Sequence, residues 1–274
     1  MMTIHEFAQK VGITLNPGQV LIFDEWYHPL RMSSVFGPED DFQKPSETFT
    51  FPKFGFFALG RRGGATTAAA IILAYEAFHA AYKAFNDPHA LNKGSFVYIT
   101  HDKAMCRETT PIVAQIIRNV TKDTSIQYEI GRDQITLWRQ PNCQEWNPIE
   151  PPKTRIFFRH ATANATTTRG MSVQLAILDD FALFPDPEDA FYSILPTVAL
   201  GNARLMVMSN PHKDPQNFFN QQWHKGCLAN TIVFAIPTWV MNPSLGSEDA
   251  LRQEMSRWNV DFDREYGAQV PKLT

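Results

Sequence analysis

Short runs with apolar centres alternate along this chain with longer stretches in which apolar residues recur at helical spacing. The runs at 51–59, 95–100, 155–160, 175–178, 204–208 and 231–236 predict strands buried on both faces, since a strand with one wet face would alternate with period two. Residues 66–85 are Ala-rich and free of Gly and Pro, and they stop at Asn86-Asp87-Pro88, which predicts a long helix. Residues 102–120 predict a second helix, with Pro111 a point of breakage, and 186–195 a third. Residues 3–11 read as a short helix with Thr3 as N-cap and Glu6 at its third position. Pro17-Gly18 breaks the chain before a second short helix at 19–27, and 247–258 reads as a helix capped by Ser247. Residues 126–139 alternate around Gly131-Arg132-Asp133 and predict a hairpin. The segments 36–50 and 140–154 are polar or Pro-rich and read as loops, and the Thr-rich 161–169 is too polar for core. Strands alternating with helices argue for a mostly parallel sheet covered on both faces.

Composition narrows this only a little. The chain has 274 residues, enough for one large α/β domain or two small ones, and 44% apolar residues, enough for a real core. A net charge of −3 does not advertise nucleic acid, although a local basic patch can hide in a neutral average. The three cysteines, Cys106, Cys143 and Cys227, lie far apart without metal-ligand spacing, which fits a reducing compartment. Residues 1–10 lack the apolar core of a signal peptide, and no run reaches the ~18 apolar residues of a membrane span.

The candidate chemistry starts at Gly60-Arg61-Arg62-Gly63-Gly64-Ala65-Thr66-Thr67, between an apolar strand and a long helix. A phosphate-binding loop turns successive backbone N–H groups onto an anion at a helix N-terminus, and its glycines permit the turn. Thr66 is the hydroxyl that would hold Mg²⁺, with Thr67 following it into the helix. Asp179 and Asp180 close the apolar run 175–178, at the strand end where ligands bind in open α/β sheets. Asp179 would coordinate Mg²⁺ directly or through water, and Asp180 would orient and deprotonate an attacking water. An ordinary glycine turn and a pair of capping aspartates are the plain alternatives; their joint occurrence in this context argues against both.

With these motifs placed, the chain resembles the ATPase domain of the large terminase subunit, the DNA-packaging motor of tailed bacteriophages. The likeness runs through Leu15-Asn16-Pro17-Gly18-Gln19, the Arg-bearing loop 60–67, Arg169-Gly170 before 175–180, and Ser209-Asn210-Pro211. It continues in Pro237-Thr238-Trp239, Asn242-Pro243-Ser244 and Phe262-Asp263-Arg264-Glu265-Tyr266. The resemblance implies a P-loop NTPase of the additional-strand (ASCE) type, with a third strand inserted between the phosphate-loop strand and the acidic one. It implies one ATPase domain over 1–274: an N-terminal segment at 1–50, the P-loop core at 51–240 and a closing segment at 241–274 that leads toward a nuclease domain absent from this chain. By the same likeness Gln19 would read adenine, although a surface glutamine fits the sequence too. The loop residues Gly60, Arg61, Arg62, Gly63, Gly64, Ala65, Thr66 and Thr67 would cradle ATP. Arg61 would sense the γ-phosphate or be merely a solvated loop arginine. Arg169 would be the arginine finger that acts on a neighbouring subunit's nucleotide. Ser209 and Asn210 would couple hydrolysis to movement, or simply form a turn before Pro211. Implied cofactors are ATP and Mg²⁺. Implied partners are double-stranded DNA, a portal protein and procapsid, a small terminase subunit and a homo-oligomeric ring, in the host cytoplasm and transiently on the procapsid.

Two residues depart from that pattern. Ala65 stands where the family has lysine, which implies strongly impaired hydrolysis; the reading adopted is a disabling lysine-to-alanine substitution, the alternative being a natural variant that relies on Arg61 or Arg62. Asp180 stands where the family has glutamate, which shortens the base by a methylene. A helicase-like ATPase and a non-hydrolysing nucleotide- or DNA-binding module remain the rival readings. Trp26 and Tyr27 read as core rather than as an adenine platform. His101, His160 and His212 are isolated. Arg118, Lys122, Arg132 and Arg139 read as a solvated charged face more readily than as a DNA channel.

Overall fold

The strand Phe54–Leu59 (β1) runs directly into the phosphate loop and the long helix Ala65–Asn86 (α3). The computed structural model describes residues 2–27, 52–86, 94–139, 153–161, 173–200, 203–226 and 231–273. The loop read at 36–50, most of that at 140–154 and the Thr-rich segment lie outside the described residues. Before β1 come helices Ile4–Lys10 (α1) and Pro17–Tyr27 (α2). After α3 follow Ser95–Thr100 (β2), Lys103–Thr121 (α4), the hairpin Ile126–Ile130 (β3) and Gln134–Arg139 (β4), and Thr154–His160 (β5). Then come Leu175–Asp179 (β6), Pro187–Leu200 (α5), Arg204–Ser209 (β7), Phe218–His224 (α6) and Thr231–Ile236 (β8). Three short helices close the described chain: Thr238–Met241 (α7), Glu248–Met255 (α8) and Phe262–Glu265 (α9).

The strands form one eight-stranded sheet in the order β3-β4-β5-β2-β6-β7-β1-β8. From β5 to β8 every neighbouring pair is parallel, and the hairpin adds β4 and β3 as antiparallel strands at one edge. β7 therefore separates the phosphate-loop strand β1 from the acidic strand β6, the inserted-strand arrangement expected from the sequence. Successive residues of β1 serve opposite faces. Phe57 and Leu59 pack in a core with α1–α4, while Phe56 and Ala58 pack in a second core with α5 and α6. This two-sided burial is why the strands read as continuous apolar runs.

Element ends follow local chemistry. Thr3 and Glu6 form the expected reciprocal capping box on α1. α2 starts two residues earlier than expected, at Pro17, because proline suits the first helical position, where no N–H partner is needed. α4, capped by Asp102, runs unbroken through Pro111, and α5 continues past Leu195 through Pro196. The carbonyls these prolines leave unpaired belong to Arg107 and Tyr192, both exposed and open to water. The helices α6, α7 and α9 were not expected; they are too short to show a period and lack the capping box that marks the short α1.

Arg204, at the start of β7, ties three elements together. Its guanidinium donates to Glu76 Oε1 of α3 (3.1 Å) and to the Trp26 carbonyl of α2 (2.8 Å), and it lies 4.0 Å over the Trp26 ring. Replacing it strands a half-buried carboxylate and a buried ring. Arg204→Ala is expected to lower unfolding free energy by about 3 kcal/mol, read as a reduced urea midpoint.

Candidate active site

The C-terminal ends of β1, β2, β6 and β7 meet at one edge of the sheet, and the predicted acidic and loop residues converge there. Asp179, the last residue of β6, is 3% exposed. Its Oδ2 accepts from Thr66 Oγ1 (3.0 Å) and from the Tyr98 hydroxyl of β2 (2.7 Å), while Oδ1 accepts the backbone N–H of Asp180 (3.1 Å). Burial, and then the charge of Asp180, push Asp179 up to about 6, while those three hydrogen bonds pull the other way. Burial also raises Asp180, opposed by His101 and Arg61. Burial and the neighbouring Asp179 keep the Tyr98 phenol protonated, so it acts as a donor.

Asp180 adopts a left-handed backbone (φ 55°), which few non-glycine residues take, and this turns the chain sharply at the strand end into the 3₁₀ turn Phe181–Leu183. Strain of this kind collects at functional positions. His101, just past β2, brings Nδ1 to 3.6 Å from Asp180 Oδ2. His101 reads as isolated in the sequence, and Tyr98 does not stand out there. A tyrosine rather than phenylalanine inside a buried strand was the available signal for Tyr98, since a buried hydroxyl needs a partner.

The phosphate loop is held from outside by distant segments. A Cβ at Gly60 would run into Thr238 N and the Tyr266 carbonyl, so only glycine fits, and Gly64 takes φ 88°. Arg61 N–H donates to the Glu265 carbonyl (2.9 Å), and its guanidinium pairs with the Glu265 carboxylate, which also meets Arg264 (2.6 Å). Thr238 Oγ1 donates to the Arg61 carbonyl (2.9 Å). Arg62 is exposed, with φ 59°, and Gly63 packs under Met241. Ala65 is the first residue of α3, with Thr66 and Thr67 following it.

The other predicted residues are placed as follows. Gln19 is 3% exposed; its Nε2 donates to the Gly64 carbonyl (3.1 Å) and its Oε1 accepts from Asn16 N (2.9 Å). These two hydrogen bonds use one of the two N–H groups and one of the two lone pairs of its amide. Ser209 Oγ accepts from Ala182 N (3.1 Å), in the turn that follows Asp180. Asn210 Nδ2 donates to the Leu59 carbonyl at the loop entrance and to that of Glu265 (3.2 Å). Arg169 lies outside the described residues. Trp26 is fully buried, as expected of core.

Hard oxygen donors of this kind suit Mg²⁺: the Thr66 hydroxyl keeps lone pairs free, and Asp179 is a buried carboxylate beside another. The residues therefore fit the cation that the motif implies. Two strands away, an open cleft of about 350 Å³ is lined by Lys103, Arg107, Arg132, Arg159 and His160, with Asp133 the acidic residue in its wall. Of the four cations considered from sequence, Arg132 is in this cleft. Arg118 lies near the far end of α4, about 16 Å along the helix from Arg107 at ~1.5 Å per residue. Spatial convergence of α4, the hairpin turn and β5 makes the cleft, which linear spacing does not reveal.

The strand order and the loop–carboxylate pairing define the class of fold: a P-loop nucleoside triphosphatase of the inserted-strand type. More narrowly, it is the fold of phage large-terminase ATPase domains. The ATPase domain of the Thermus phage P74-26 large terminase superposes with a TM-score of 0.71, covering 99% of this chain and 100% of that one at 15% identity. The HK97 bacteriophage large terminase gives 0.61 at 15% identity over 98% of this chain and 56% of its own. The large terminase of the thermophilic bacteriophage D6E in complex with ADP gives 0.55 at 13% identity over 80% and 48%. The chain thus spans about half the length of the HK97 and D6E subunits. No family model matches the sequence, and no curated protein does.

A carboxyl whose folded value lies above its unfolded one costs stability when ionised. The cost is absent below about 4, grows as pH rises toward about 6 and is complete above it. Asp179→Asn is therefore expected to stabilise the metal-free protein at pH 8 by on the order of 1 kcal/mol, seen as a higher melting temperature, with the advantage shrinking as pH falls from 6 to 4. Thermal melts of both proteins across that range check it.

Proposed function

We propose that this chain is the ATPase motor domain of a viral terminase large subunit, which drives double-stranded DNA into a procapsid, with hydrolysis disabled here by Ala65. The observation that carries this reading is the hydrogen bond from Thr66 to Asp179, with the strained Asp180 beside it, at the mouth of a phosphate loop in a terminase-type ATPase fold. The loop amides and the N-terminus of α3 would bind the phosphates of ATP. Thr66 and Asp179 would hold Mg²⁺, which when bound neutralises charge on the β- and γ-phosphates. Asp180 would take the proton of the attacking water. Arg61, whose charge reaches Asp180, would sense the γ-phosphate. Gln19 would offer its remaining N–H and lone pair to adenine. Ser209 touches the turn after Asp180, and Asn210 touches the loop entrance, which suits them to report hydrolysis to the rest of the domain.

Arg169 would act in trans on a neighbour's nucleotide in a homo-oligomeric ring seated on a portal protein and procapsid, with a small terminase subunit as a further partner. The basic cleft supports the DNA reading: several cations around one open groove on the nucleotide edge match a phosphodiester backbone. A single ATPase domain, working in the host cytoplasm, fits these assignments.

Ala65 favours a second reading. Without a lysine ammonium on the β- and γ-phosphates, transition-state stabilisation falls by several kcal/mol, roughly the loss of one oxyanion-type donor. The chain would then be a disabled motor or a non-hydrolysing nucleotide-binding module. Ala65→Lys is expected to raise magnesium-dependent phosphate release by about 10² or more, and adding Asp180→Asn should return it to background. A reverted protein that binds ATP, assembles and never turns it over would sink the motor reading in favour of the binding module.

The cleft makes a separate prediction. Arg132→Ala should weaken duplex DNA binding alike for all sequences and flatten the slope of log affinity against log salt by about 1. An unchanged slope in fluorescence anisotropy titrations would remove Arg132 from the interface.

A further inference from the structure

Tyr98 is fully buried in β2, its ring among apolar neighbours that include Phe158, 6.2 Å away between centroids. A phenylalanine would fill that space equally well, so the hydroxyl must be accounted for separately. It donates to Asp179 Oδ2 at 2.7 Å, the shortest of the three hydrogen bonds on that carboxylate. The same hydroxyl lies 3.2 Å from Thr109 Oγ1 on α4, which is itself 2.9 Å from the Met105 carbonyl, so the phenol is held from behind as well.

Each carboxylate oxygen has about two lone-pair sites. On Oδ2 both are taken, by Thr66 and Tyr98; on Oδ1 one is taken, by the Asp180 amide. With three donors from three directions the carboxylate plane cannot rotate. Thr66 spends its proton on Oδ2, which leaves its oxygen lone pairs free.

We infer that Tyr98 is a positioning residue for the divalent-cation site: it fixes the Asp179 carboxylate so that the Thr66 oxygen and one lone pair of Asp179 Oδ1 are the donors offered to the cation. This rests on the reading of Thr66 and Asp179 as the Mg²⁺ pair. Groups that orient a metal-binding carboxylate without touching the metal are worth about 10–100-fold in metal affinity.

The test is a Mg²⁺ titration of the binding of a fluorescent ADP analogue, in this chain and in its Ala65→Lys variant, each with and without Tyr98→Phe. The expected result is a rise of about tenfold in half-saturating Mg²⁺ for Tyr98→Phe, with metal-free nucleotide affinity unchanged. Thr109→Val should shift the same quantity in the same direction by less. Half-saturating Mg²⁺ that Tyr98→Phe leaves in place, even with a lowered melting temperature, makes Tyr98 a packing residue and overturns the inference. Should Tyr98→Phe not fold, Thr109→Val decides by the same criterion. Nucleotide binding that ignores Mg²⁺ in both unsubstituted backgrounds overturns the metal-site reading itself, and the role of Tyr98 with it.

Discussion

A carboxylate buried to 3% exposure needs partners on both oxygens, and at Asp179 those partners come from three separate elements. Thr66 reaches it from α3, Tyr98 from β2, and the Asp180 amide from the turn after β6. This one requirement fixes the geometry of the whole edge. The start of α3 has to lie over the end of β6 although β1 and β6 are not neighbours, and β7 fills the gap between them. The carboxylate also faces a second one, Asp180, the next residue, itself in a left-handed backbone conformation, whose charge His101 and Arg61 offset only in part. The fold therefore holds two like charges together before any ligand arrives, an arrangement that a bound cation would relieve.

The phosphate loop, by contrast, gains its shape from its surroundings. Gly60 is pressed against Thr238 and Tyr266, the Arg61 amide bonds to Glu265, and Gln19 holds the Gly64 carbonyl from the opposite side. None of these contacts involves residue 65. On the proposed reading the effect of Ala65 would therefore be electrostatic rather than conformational.

What could be read from the residues follows the same physics. The strands 95–100 and 231–236 were legible to the residue because each is an apolar run, which two-sided burial demands in the first and packing of an edge on the core allows in the second. Thr66, Asp179 and Asp180 were legible because a glycine-rich loop and an acidic strand end carry their context with them. Pro111 and Pro196 misled, since a proline is read as a break unless one knows that the carbonyl it orphans faces water. The order of the strands was not written in any local pattern; it came with the family likeness. Tyr98 hid among core aromatics, and the basic cleft hid because Lys103, Arg132 and Arg159 are neighbours in space alone.

β1 lies between β7 and β8, so the strand that launches the phosphate loop gets both its partners from chain some 150 and 177 residues further on. As the polypeptide leaves the ribosome, β1 must wait, unpaired and strongly apolar, until some 150 further residues have been made. The loop's last supports, from Glu265 and Tyr266, arrive later still. A chain cut short anywhere before those residues would keep its nucleotide motif intact in sequence while lacking the walls that shape it, and would present an unpaired apolar strand to its neighbours. The phosphate loop is thus synthesised well before the segments that give it its walls.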